Sequence, residues 1–101
     1  MIQITFATLE AFIDEHKQYG YPDRSIVRAQ VTDDPSRPGG YQVVVTALRG
    51  GQIFRYLARP DAHDDSETEK ATCLELRTEI ADTLVRNRFA VREGILGVAE
   101  P

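Results

Sequence analysis

Residues 41–58 read YQVVVTALRGGQIFRYLA, two β-branched and aromatic runs on either side of the pair Gly50 and Gly51. A two-residue hairpin turn needs positive φ at both central positions, which glycine adopts without a steric cost, so the pair predicts a tight hairpin between strands at Tyr41–Arg49 and Gln52–Ala58. The turn also sets the register. With Arg49 opposite Gln52, Ala47 faces Phe54, Val45 faces Tyr56 and Val43 faces Ala58 on one side of the sheet. On the other side Leu48 faces Ile53, Thr46 faces Arg55 and Val44 faces Leu57. A sheet with one side in water carries polar residues there. The second side here holds Val44, Leu48, Ile53 and Leu57, so it calls for a cover: the first helix, the C-terminal tail or a second copy of the chain.

Upstream of the hairpin, from Ser25, Val27, Ala29 and Val31 alternate with Arg28, Gln30 and Thr32, the period of a half-buried strand. Residues 33–40, with two prolines and two glycines, form the loop that follows it. Earlier still, Phe6, Leu9, Phe12, Ile13 and His16 recur at helical spacing. Thr5 or Thr8 can cap that helix, Gly20 and Pro22 stop it, and the alternation of Ile2, Ile4 and Phe6 permits a short strand before it. Downstream of the hairpin, Ser66, Glu67, Thr68, Glu69 is a capping box, in which the Ser66 hydroxyl and the Glu69 carboxylate satisfy backbone donors. Cys73, Leu76, Ile80 and Leu84 continue as an apolar stripe widened by Leu74, Ala81 and Val85, and the helix ends near Asn87, a residue tolerant of the left-handed region. Phe89, Ala90 and Val91, followed by Gly94, Ile95 and Leu96, then read as a short strand with a turn or bulge and a frayed tail. The expected fold is one α+β domain over residues 1–101, in the order helix, three-stranded antiparallel meander, helix, short strand.

The composition, 42% hydrophobic and 28% charged in 101 residues, fits a globular chain with one core. The lone Cys73 cannot close an intramolecular disulfide, which fits a reducing, cytoplasmic compartment. The first basic residue is Lys17 and no apolar run exceeds three residues, so neither a secretory segment nor a membrane span is expected. The net charge of −4 is unevenly spread: residues 61–83 sum to −6 and residues 21–60 to +3.

Chemistry-bearing residues are sparse, and no cofactor is called for. His63, Asp64 and Asp65, with Asp61, Glu67 and Glu69 around them, offer oxygen and imidazole groups for a divalent cation. Their spacing lacks the glycine and closing glutamate of a calcium loop, and carboxylates before a helix also serve its dipole. His16 reads as a core-edge histidine with a bonded ring nitrogen, and Cys73 as a small buried hydrophobe. Arg28 and Arg55 share the second sheet face with Gln30 and Thr46, but the stacking aromatics that single-stranded nucleic acid requires project to the other side.

The order helix, three antiparallel strands, helix, strand resembles the core of the PD-(D/E)xK nucleases, whose carboxylates and lysine sit on the second and third strands. Tyr41–Arg49 contains no acid, and Gln52–Ala58 contains neither acid nor lysine, so the metal chemistry that this resemblance implies has no residues here. The expectation is therefore a small non-enzymatic protein-interaction domain. It self-associates through the second sheet face (Val44, Leu48, Ile53, Arg55 and Leu57) or through a sheet edge, and its partner is itself or another protein rather than a membrane or nucleic acid. The alternatives are a small metal-dependent enzyme or regulatory module built on His63, Asp64 and Asp65, and a nucleic-acid-binding module built on the sheet arginines.

Overall fold

The computed structural model describes residues 3–18, 26–49, 51–60 and 66–91. They form an α+β arrangement of β1 (Gln3–Phe6), α1 (Leu9–Gln18), β2 (Ile26–Asp33), β3 (Tyr41–Arg49), β4 (Gln52–Ala58), α2 (Ser66–Arg86) and β5 (Ala90–Val91). The antiparallel meander β2-β3-β4 is present, and the hairpin pairs Arg49 with Gln52, Ala47 with Phe54, Val45 with Tyr56 and Val43 with Ala58, as the turn predicts. Gly51 has φ +80°, and Gly50 lies outside the described residues.

The sheet is larger than the expected meander, and it is mixed. Its order is β1-β4-β3-β2-β5, with β1 parallel to β4 and β5 parallel to β2. The alternation of Ile4 and Phe6 is thus a real strand, which puts a β-strand ahead of the order read from the sequence. Parallel neighbours need a crossover connection, so a helix links each added strand to the meander and no local turn announces the pairing.

Both helices pack on the same side of the sheet. The core joins Phe12 and Ile13 of α1 and Cys73, Ile80 and Leu84 of α2, with Phe89, to Val27, Ala29, Val31, Val43, Val45, Ala47, Phe54 and Ala58. Every one of these strand residues lies on the face that the hairpin register assigns to Val43, Val45 and Ala47. Among the described residues, no helix covers the opposite face.

The helix ends refine the sequence reading. Thr8, rather than Thr5, caps α1: its hydroxyl accepts the Ala11 N–H at 3.1 Å. Gly20 and Pro22 lie outside the described residues. At the start of α2 the Ser66 hydroxyl donates to the Gly39 carbonyl at 2.9 Å and the Glu69 carboxylate accepts from Arg37, so both residues reach toward the β2–β3 loop. The left-handed residue after α2 is Arg88, with φ 67°, one position beyond the expected Asn87. Phe89 N–H donates to Leu84 and Arg88 N–H to Val85, both at 2.9 Å, which is the Schellman pattern. Val85, expected to widen the buried stripe, is 58% exposed; charged Glu69 and Arg77 are buried on that stripe instead.

Candidate functional site

The sheet face opposite the two helices is built from rows of side chains that run across the strands; the C-terminal tail, the other cover within the chain that the sequence suggests, lies outside the described residues. One row is Leu48 and Ile53; the next is Arg28, Thr46, Arg55 and Thr5; the third is Gln30, Val44 and Leu57. Leu48 is 46% exposed, Ile53 and Leu57 are half-buried, and Arg55 is exposed. Val44, also expected at an interface, is buried between its register neighbours Gln30 and Leu57. Arg28 and Arg55 lie on either side of Thr46, and among the described residues neither forms an ion pair or a side-chain hydrogen bond. Phe6, Phe54 and Tyr56 fall on the core side, so among the described residues this face offers aliphatic surface and guanidinium groups but no stacking ring.

The edge of the sheet is treated differently. Arg77 of α2 is buried and donates its Nε–H to the Ala29 carbonyl on β2 at 3.0 Å. Among the described residues β5 pairs only with Ile26 and Val27, so this carbonyl lies past the β5 pairing, and Arg77 occupies an acceptor that an incoming strand could otherwise use.

At one end of the helical side, a polar hub is centred on Asp34, whose side chain is fully buried. Its Oδ1 accepts the Ser36 backbone N–H at 2.9 Å and the Ser36 hydroxyl at 2.7 Å. Its Oδ2 accepts Arg37 Nε–H at 3.0 Å and lies 3.1 Å from Arg59 Nε. Burial alone would raise the carboxyl pKa. The bonds from Ser36 and Arg37, with the charge of Arg59, outweigh burial and hold it at about 2. Arg37 also donates to the buried carboxylate of Glu69 and to the Tyr41 carbonyl, which ties the β2–β3 loop to α2. Gly39 has φ +76°, where a side chain would be strained, and a Cβ at Gly40 would meet the Arg37 carbonyl oxygen at 3.1 Å, so a side chain there would require the Arg37 backbone to give by a few tenths of an ångström.

At the other end His16 is fully buried, with the rings of Phe12, Phe54, Phe89 and Phe6 at centroid distances of 4.3, 5.1, 5.8 and 6.1 Å. Its Nδ1–H donates to the Phe12 carbonyl at 3.0 Å, leaving Nε2 as an acceptor without a partner among the described residues. Arg49 lies 4.3 Å from the centroid of the Phe54 ring and 3.7 Å from Glu15. Burial lowers the His16 pKa most strongly; the Phe12 carbonyl and Glu15 act to raise it, and Arg49 adds to the lowering.

Cys73 is buried, and burial, then the charge of Glu69, pushes its thiol up to about 11, the reverse of an activated nucleophile. His63, Asp64 and Asp65 lie outside the described residues, and among the described residues no three His, Cys, Asp or Glu side chains come together as metal ligands. No helix among the described residues is long and apolar enough to cross a membrane. Sequence periodicity identified the rows of the open face but missed Asp34, Glu69 and Arg77 as buried groups. For Glu69 and Arg77 the one available signal was spacing, since Glu69, Cys73 and Arg77 follow each other at i, i+4; Asp34 had none. Compared with known proteins, the chain matches no protein family, no curated protein and no solved structure.

Proposed function

We propose that the chain is a non-enzymatic protein-interaction domain that self-associates through the open face of its sheet. The observation that carries this reading is the one-sided layering: α1 and α2 both pack on the core face, while Leu48, Ile53 and Leu57 lie beside Arg28 and Arg55 on the other. Arginines whose alkyl stems extend the apolar surface, around aliphatic side chains, are the composition of protein contacts. The face is favoured over an edge because Arg77 already occupies the Ala29 carbonyl on β2 and β1 is only four residues long. It is favoured over nucleic-acid binding because Phe6, Phe54 and Tyr56 are turned to the core side. The single buried Cys73 fits a reducing, cytoplasmic setting.

Sedimentation equilibrium across the micromolar range tests the reading. The chain should associate reversibly, and Leu48→Glu should lower the association constant by about tenfold or more, because a charge replaces an apolar contact. A chain that stays monomeric at every concentration would remove self-association. Unchanged association in Leu48→Glu would remove this face from it, and a low-salt gel shift with single-stranded nucleic acid, lost in Arg55→Glu, would transfer the face to the nucleic-acid reading.

A further inference from the structure

We infer that association runs head to tail, with the outer surface of α2 from one copy lying across the arginine row of the next. This rests on self-association through the open face and adds the surface that meets it.

The first argument is charge. Among the described residues the strands place Arg28 and Arg55 on the open face and no carboxylate beside them. Two such faces brought together as a twofold pair would set arginine surface against arginine surface, and like charges oppose each other across an interface. The complementary surface must be acidic.

The second argument is that the chain carries such a surface on its other side. Glu75, Thr78, Asp82 and Val85 are all exposed, and their spacing of three, four and three residues aligns them in one stripe along α2. The stripe faces away from Cys73, Arg77, Ile80 and Leu84, which α2 buries. It contains Val85, one of the few large hydrophobic side chains exposed on the described surface, as Leu48 is on the sheet.

The third argument is span. Arg28 and Arg55 lie on β2 and β4 on either side of β3, so their Cα atoms are separated by two strand spacings, roughly 10 Å. Glu75 and Asp82 are seven residues apart on α2, about 10.5 Å along the helix. A helix laid across the strands therefore sets both carboxylates over both guanidinium groups at once, with Thr78 above Thr46, and Val85 continues the line beyond the pair. Bidentate arginine–carboxylate pairing accommodates this arrangement.

The two surfaces lie on opposite sides of the molecule, so a contact of this kind cannot close on itself as a twofold dimer and generates rings or open chains. The weight-average mass from sedimentation should pass beyond that of a dimer as concentration rises, and association should weaken as salt is raised. R28E/R55E and E75R/D82R should each lower the association constant by at least about thirtyfold, the scale on which like charges suppress a contact. An equimolar mixture of these two variants should associate again, and so should the quadruple variant that reverses both surfaces. Circular dichroism melts check that each chain is folded.

A discrete dimer that never exceeds its mass, or unchanged association in folded E75R/D82R, would overturn the head-to-tail mode and leave association through the open face standing. A wild-type chain that remains monomeric would overturn both.

Discussion

Among the ionisable groups buried on the helical side of the sheet, those around Asp34 and those around His16 are kept stable in opposite ways. Around Asp34 the groups stay charged, because Ser36, Arg37 and Arg59 supply donors and opposite charge to one carboxylate and Arg37 extends the network to Glu69. Around His16 the ring stays neutral: four phenylalanines enclose it, one nitrogen is bonded to the Phe12 carbonyl, and Nε2 has no partner among the described residues. A charged group can be buried where hydrogen bonds replace its water, and an imidazole can be buried where its proton is kept off. The hub fixes a loop to a helix, whereas the aromatic box only fills space between α1 and the sheet.

Removing Asp34 is the largest single test of that contrast. Asp34→Ala takes away the acceptor for the Ser36 N–H and the partner of two arginines, and should destabilise the chain by about 2–3 kcal/mol in urea unfolding, limited because the arginines are part-exposed and can rehydrate. His16→Phe should change stability at neutral pH by less than about 1 kcal/mol, because it substitutes one planar ring for another among aromatic neighbours. If the two variants cost the same, the distinction between satisfied charge and enforced neutrality fails.

Acid separates the two regions by pH. Both groups have folded-state pKa values below their ordinary ones, so in each case the unfolded chain takes up the proton first and stability falls with falling pH. For His16 the loss starts as pH drops through its ordinary value of 6.5. For Asp34 the stabilisation is complete above 3.8 and disappears as pH approaches about 2. Unfolding free energy measured against pH should therefore descend in two stages. His16→Phe should abolish the upper stage and Asp34→Asn the lower one; a single stage unaffected by His16→Phe would show that the box carries no proton linkage.

The same contrast marks what the sequence discloses. The hairpin register and the sidedness of Val43, Val45, Ala47 and Phe54 were readable because Gly50 and Gly51 fix one turn and every pairing follows from it. The rows of the open face came with that register, including Arg55 beside Thr46. Asp34, Arg37 and Glu69 were not readable, because a charged residue at a buried position looks like a solvated one until its partners are placed: Glu69 meets Arg37 across 32 residues, and Arg59 reaches Asp34 from the end of β4. Arg77 was hidden in the same way, and Val85 misled in the opposite sense by being apolar and exposed. The pairings of β1 and β5 were hidden because parallel strands meet only after a helix has crossed over.

The smallest expected effect concerns the chain reversal that delivers Phe89 to the aromatic box. Arg88 takes φ 67° so that Phe89 N–H can reach the Leu84 carbonyl and its side chain can enter the core beside His16 and Phe12. A side chain with a Cβ is strained in that region, and glycine is not, although glycine also gains freedom in the unfolded chain. Arg88 is exposed, so replacing it costs little packing. Arg88→Gly should raise stability by about 0.5–1 kcal/mol and the melting temperature by a few degrees, with Arg88→Asn between the two. The gain should be the same in a His16→Phe background, because strain at the turn and neutrality in the box are separate terms. A gain that vanishes in that background would mean that the turn and the buried histidine are energetically one unit, and the box would then resemble the hub more closely than its lack of paired charge implies.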